Sequence, residues 1–131
     1  MLYAILCYND ENVTSNWSQA EDDAVMQRLG AVTQKIAAQG KLGPVARLVP
    51  TKQAKTLRKG REGKPVVLDG PFTETKEHLL GFYLVECANA DEAVEIAKEL
   101  QAANSGPSGY EIRPVMFFGA GGKAVERVDA A

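Results

Sequence analysis

The chain has 131 residues, 45% hydrophobic and 24% charged, with a net charge of -2 from 15 basic and 17 acidic side chains. That length suits one domain and leaves no room for two independent cores. The near-average composition excludes disordered and fibrous classes. The balanced charge supplies no basic stripe with which to hold nucleic acid or an anionic membrane.

No apolar run approaches the roughly 18–20 residues needed to cross a bilayer. The opening segment Met1-Leu2-Tyr3-Ala4-Ile5-Leu6-Cys7-Tyr8 lacks a basic leader and a small-residue cleavage site, so it does not read as a secretory signal. The cytoplasm is the expected compartment. From Leu2 to Tyr8 the segment instead predicts a strand that is apolar on both faces. An antiparallel strand with one wet face alternates, so this pattern implies cover on both sides. Helices account for one face, and a partner subunit is the economical cover for the other.

A helix is predicted from Ser18 to Gln39. Ser18 and Glu21 form a capping-box pair, and Asp22 and Asp23 suit the positive end of the helix dipole. Val25, Leu29, Val32 and Ile36 draw one apolar stripe, and Gly40 is a C-terminal stop. Residues 41–50 read as a strand fenced by Pro44 and Pro50. Ala54–Arg58 and Lys64–Leu68 flank the turn-rich segment 59–63, the pattern of a hairpin with an exposed, charged tip. A loop of about ten residues follows Asp69, longer than a hairpin needs.

Gly81–Glu86 predicts the next strand. A second helix opens at Asn89-Ala90-Asp91-Glu92, turns Ala93, Ile96, Ala97 and Leu100 inward, and stops before Asn104-Ser105-Gly106-Pro107. A last strand runs from about Tyr110 to Phe118. Residues 1–118 thus form a single domain, and 119–131, rich in Gly and Ala, are expected to be a flexible tail.

The order is β-α-β, hairpin insertion, β-α-β. This is the split β-α-β pattern of a ferredoxin-like α+β sandwich, with helices on one face of an antiparallel sheet. The first and third core strands are then antiparallel neighbours, so Cys7 and Cys87 fall at opposite ends of the sheet. A strand of five or six residues spans roughly 17–20 Å, beyond disulfide reach, and both thiols are expected to be buried. With one histidine, His78, the chain has no metal-ligand spacing. It also has no phosphate loop and no dinucleotide fingerprint, so no metal or cofactor is expected. The same topology brings the Asp69–Leu80 loop, the end of the first strand at Asn9-Asp10 and the start of the first helix to one edge.

Asp69-Gly70-Pro71-Phe72-Thr73-Glu74-Thr75-Lys76-Glu77, followed by Gly81-Phe82-Tyr83-Leu84, resembles the signature of the DGPF family within the YCII-related superfamily. An apolar first strand, Gln39-Gly40-Lys41-Leu42, the charged hairpin and Glu111-Ile112-Arg113-Pro114-Val115 extend the likeness over nearly the whole chain. The resemblance implies a dimeric α/β barrel, two ferredoxin-like sheets packed face to face. Relatives are described with a His-Asp pair in a cleft. Here Asp69 stands for the aspartate, while the first helix carries no histidine and His78 falls in the loop.

Asp69-Gly70 after an apolar strand suits a turn, because Asp accepts backbone N–H bonds and Gly takes positive φ. It equally suits a carboxylate held at a cleft edge as a general base. Glu74, Lys76 and Glu77 read as a solvated charge run or as a lid, and His78 as a surface histidine or a proton-transfer group. Arg47 and Arg113, inside apolar strands, either snorkel to the edge or hold an anionic ligand group. Tyr83 suits core or dimer packing. Two functions follow: a cofactor-independent small-molecule enzyme with Asp69 in its cleft, or a non-catalytic ligand-binding or regulatory homodimer. The substrate is not readable.

Overall fold

The computed structural model describes residues 1–73, 75–122 and 124–129. Its centre is β1 (Leu2–Asp10), paired antiparallel on one edge with β5 (Glu77–Glu86) and on the other with β6 (Ser108–Pro114). Outside β5 lies β2 (Leu42–Arg47), also antiparallel, which gives a four-stranded sheet of order β2-β5-β1-β6. Two long helices, α2 (Gln19–Ala38) and α3 (Ala90–Ala103), join the sheet strands. The result is an α+β fold with a four-stranded antiparallel sheet plus helices.

Local chemistry places the helices. Ser18 caps α2 by accepting from the Glu21 N–H, and Glu21 reciprocates, so the capping box forms as its spacing predicts. Asn89 caps α3 by accepting from the Glu92 N–H at 2.9 Å. The register sets Tyr3 opposite Val85 and Ile5 opposite Tyr83 and Ile112. That face of the sheet meets Ile36 of α2 and Ala93, Ile96, Ala97 and Leu100 of α3, and these side chains form the core with Cys87. Cys7 pairs with Gly81 while Cys87 follows Glu86, the partner of Leu2, so the two thiols stand at opposite ends of the sheet.

Three boundaries differ from expectation. β5 begins at Glu77 rather than Gly81, so His78 lies in a strand opposite Asn9, not in a loop. Its polar start reads as loop in isolation, but β1 runs on to Asp10 and supplies the backbone partners. A four-residue helix, α1 (Glu11–Thr14), follows directly, with Asp10 accepting from the Asn12 N–H. The last predicted strand breaks after Pro114, and β7 (Phe117–Phe118) pairs instead with β8 (Glu126–Arg127) in the segment expected as a tail. The hairpin is present as β3 (Lys55–Lys59) and β4 (Pro65–Asp69), a separate two-stranded sheet.

The β1–β5 register slips between Cys7 and Tyr8, so Leu80 is an extra residue in β5. Next to this bulge, a Cβ on Gly81 would run into the Ala46 carbonyl of β2. Only glycine allows β2 this close. Among the described residues no helix is long and apolar enough to cross a membrane. Leu100 is fully buried in the core, and Leu100→Ala is expected to cost about 2–5 kcal/mol of unfolding free energy, read from the urea midpoint.

Candidate functional site

Beyond Ile5 the helix-facing side of β1 continues through Cys7 to Asn9, where α2 and the sheet separate and α1 has begun. A cavity of about 470 Å³ opens there. The end of β1 supplies Cys7 and Asn9, and α2 supplies Val25, Met26 and Leu29. β2 and its exit supply Arg47, Leu48 and Val49, while the bulge in β5 puts Leu80 and Gly81 on the wall. Trp17 precedes the α2 cap, and Tyr83, Tyr110 and Asn104 also line the cavity. The size lies within the roughly 300–1,000 Å³ of small-molecule sites.

Asn9 is only 2% exposed. Its Oδ1 accepts from the Asp10 N–H at 2.8 Å, which fixes the amide and leaves Nδ2, shut off from solvent, with no hydrogen-bond partner among the described residues. Asn104 is fixed less firmly, because the Tyr110 hydroxyl it meets can donate or accept. Its Nδ2 donates to the Tyr110 hydroxyl at 3.2 Å, and its buried Oδ1 is left without a donor among the described residues. Buried polar groups are nearly always paired, so these two side chains are exceptions among the residues that line the cavity.

The thiol and two of the hydroxyls on the wall are kept protonated by burial. Burial pushes the Cys7 thiol up to about 12. Burial likewise raises the Tyr83 hydroxyl to about 12, with Cys7 and Tyr110 adding and Arg47 opposing. Tyr110 is raised as well, again chiefly by burial. The thiol is therefore not a thiolate nucleophile. Arg47 spans from β2 to α2 at the rim, its guanidinium donating to Asp22 at 3.0 Å and lying 2.9 Å from the Met26 sulfur. Glu11 accepts from the Thr51 N–H and hydroxyl at 2.8 and 2.6 Å and ties α1 to the turn after β2.

A second depression of about 380 Å³ lies beyond Glu11, Ser15 and Pro50, which line both hollows. Gly70 and Pro71 form part of its wall with Glu11, Asn12 and Ser15, so the signature loop meets α1 and the chain after it, while the capped start of α2 at Ser18 lies outside that wall. Asp69 itself lines neither hollow. Its side chain is 89% exposed and pairs with Lys55 at 2.8 Å. The signature is held as a clasp: the Gly70 N–H donates to the Ala54 carbonyl, and Thr56 Oγ1 donates to the Gly70 carbonyl at 2.7 Å. Gly70 has φ 104°, a conformation side chains other than hydrogen resist. Arg58 donates to the Phe72 carbonyl and stacks over the Phe72 ring at 4.3 Å.

Of the other predicted site residues, Lys76 and Glu77 are exposed, and Glu77 pairs with Asp10 in the sheet register. His78 is half-buried on β5 and absent from the wall of either hollow. Arg113 is exposed and opposite Ala4, on the sheet face away from the helices and the cavity. Glu74 lies outside the described residues. Sequence reasoning missed Trp17 and Asn104 as lining residues. Asn104 reads as a helix stop, and the sole tryptophan, just before a cap, was the one available signal.

The YCII-related domain model matches residues 1–119. An uncharacterised protein of Rhizobium meliloti (strain 1021) is 58% identical over 118 residues, covering 90% of this chain and 94% of the relative. The sheet, helices and signature loop thus define an α+β domain of a known type. The chain belongs to the YCII-related family.

Alkaline pH tests the buried wall. Unfolded Cys7 and Tyr83 lose their protons near their ordinary 9.0 and 10.0, the folded groups near 12. Stability from keeping them neutral is complete below about pH 9 and is lost as pH rises toward 12. Urea midpoints should fall over that window, and Tyr83→Phe should flatten the decline. An unchanged slope in the variant would contradict the assignment.

Proposed function

We propose that this chain is a ferredoxin-like subunit of a homodimer that binds a small molecule in the cavity at the end of β1, without catalysis of its own. The observation that carries the reading is the cavity of about 470 Å³ at the end of β1, within the size range of small-molecule sites. The ligand-binding reading is favoured over a carboxylate-centred enzyme by two facts. Cys7 and Tyr83 on the cavity wall are held neutral by burial, and Asp69 is a solvated partner of Lys55.

The strand order β2-β5-β1-β6, with both long helices on one face, supports the ferredoxin-like reading. Support for the dimer comes from the opposite face. There the register sets Ala4 beside Leu84 and Leu6 beside Phe82, an apolar surface that the helices do not cover. Arg113 and Glu111 flank it on β6, opposite Ala4 and Leu6. In a face-to-face pair these two charges lie where each can meet the other's counterpart.

Sedimentation equilibrium at micromolar concentration should give a dimer of the 14.1 kDa chain, and Leu84→Glu should give a monomer. A monomeric wild type would refute the assembly. For the cavity, thermal shift with small aromatic probes should raise Tm by a few degrees at concentrations well above Kd. Leu29→Trp should abolish the response by filling the space. Asp69→Asn should leave it intact; loss of the response there would move the site to the signature loop and revive the enzyme.

A further inference from the structure

We infer that the cavity takes a small organic acid, an apolar body with one carboxylate, and that the Arg47 guanidinium holds the carboxylate in place of Asp22. The inference rests on the ligand-binding reading above and names the chemistry of its guest. Among the described residues that line the cavity, Glu11 and Arg47 are the charged ones. Glu11 is committed, one oxygen to the Thr51 N–H and the other to the Thr51 hydroxyl. Arg47 keeps donors to spare. A guanidinium carries five N–H groups, and those of Arg47 that are bonded among the described residues meet Asp22 and the Met26 sulfur, a weak acceptor.

The structure already shows what this fork accepts. An aspartate carboxylate sits on it at 3.0 Å, reaching from the first turn of α2 to the end of β2. Both side chains reach solvent, 54% exposed at Arg47 and 32% at Asp22. Ion pairs of this kind hold weakly, so a guest that takes the place of Asp22 gives up no more than about fivefold in affinity. The body of the guest is set by what surrounds the fork. Val45, Leu48 and Val49 flank Arg47 along the chain and Met26 touches it; all four line the cavity and are left exposed. Apolar side chains gathered around one cation suit a guest that is apolar with an anionic end. An ammonium meets the guanidinium as a like charge, and a neutral guest gains nothing by displacing Asp22. A phosphate brings a second charge for which the described lining offers no second cation.

The sole tryptophan of the chain, Trp17, lines this cavity, so its fluorescence reports occupancy. The probes are 3-phenylpropanoate, 3-phenylpropanamide and 3-phenylpropylamine, one body with an anionic, a neutral or a cationic end. Wild type is expected to bind the propanoate about fivefold or more tightly than either of the others, because hydrogen bonds between charged groups are the strong ones. Asp22→Asn frees the fork and should tighten the propanoate about threefold. Asp23→Asn is the control: it removes the neighbouring charge, which is bonded to Gln19, and should change the affinity by less than about twofold. Arg47→Gln should bring the propanoate down to the level of the amide, and in that background Asp22→Asn should have no effect. Equal binding of the three probes, or an anion preference that survives in Arg47→Gln, would overturn the inference and leave the ligand-binding reading standing. An Asp22→Asn protein that binds the propanoate no better than wild type would overturn it too, as would a preference for the amine, which assigns the rim to Glu11. Failure of all three probes to bind would overturn the inference together with the ligand-binding reading.

Discussion

Everything else in this molecule hangs on β1. Nine residues long and hydrogen-bonded on both edges, it spends one face, residue by residue, on two different jobs. Tyr3 and Ile5 meet the helices and close the core. Two and four residues further on, Cys7 and Asn9 point to the same side with less helix above them, and the core passes into a cavity. No separate structure is needed to build the site. It is the place where the helix layer ends before the sheet does, and the bulge at Leu80 with the close approach at Gly81 shapes its floor.

The electrostatics of that place are defined by restraint. Burial keeps the thiol and the tyrosines protonated, the rim charge is spent on Asp22, and the acid at the boundary, Glu11, is spent on Thr51. What remains is a largely apolar wall with protonated thiol and hydroxyl groups set into it.

Much of the scaffold could be read from the chain. The capping box at Ser18, the apolar stripe of α3, the hairpin between 54 and 69 and the antiparallel placement of Cys7 and Cys87 all follow from local propensity and spacing, where neighbours in sequence decide the outcome. Element edges were harder. The start of β5 at Glu77 depends on β1 lending its backbone, and α1 depends on Asp10 capping a helix of only one turn. The site was the least legible part. Asn9 after an apolar run reads as the end of a strand, Asn104 as the end of a helix, and only the fold makes them parts of one wall. The signature loop drew attention because it is distinctive, yet its Gly70 and Pro71, not its acid, reach a hollow.

The clasp at the base of the hairpin also divides the chain into parts that can vary and parts that cannot. Thr56 and Arg58 hold the signature backbone through Gly70 and Phe72, so any change at the base is felt beside the hollow it helps to wall. Among the described residues, the tip from Gly60 to Gly63, with Glu62 and Gly63 at positive φ, forms backbone hydrogen bonds only within its own hairpin. Insertions there add length without altering the register of the four-stranded sheet. Descendants of this domain are thus free to remodel the tip as a reach toward new surroundings while the cavity wall at the far end of β1 keeps its shape.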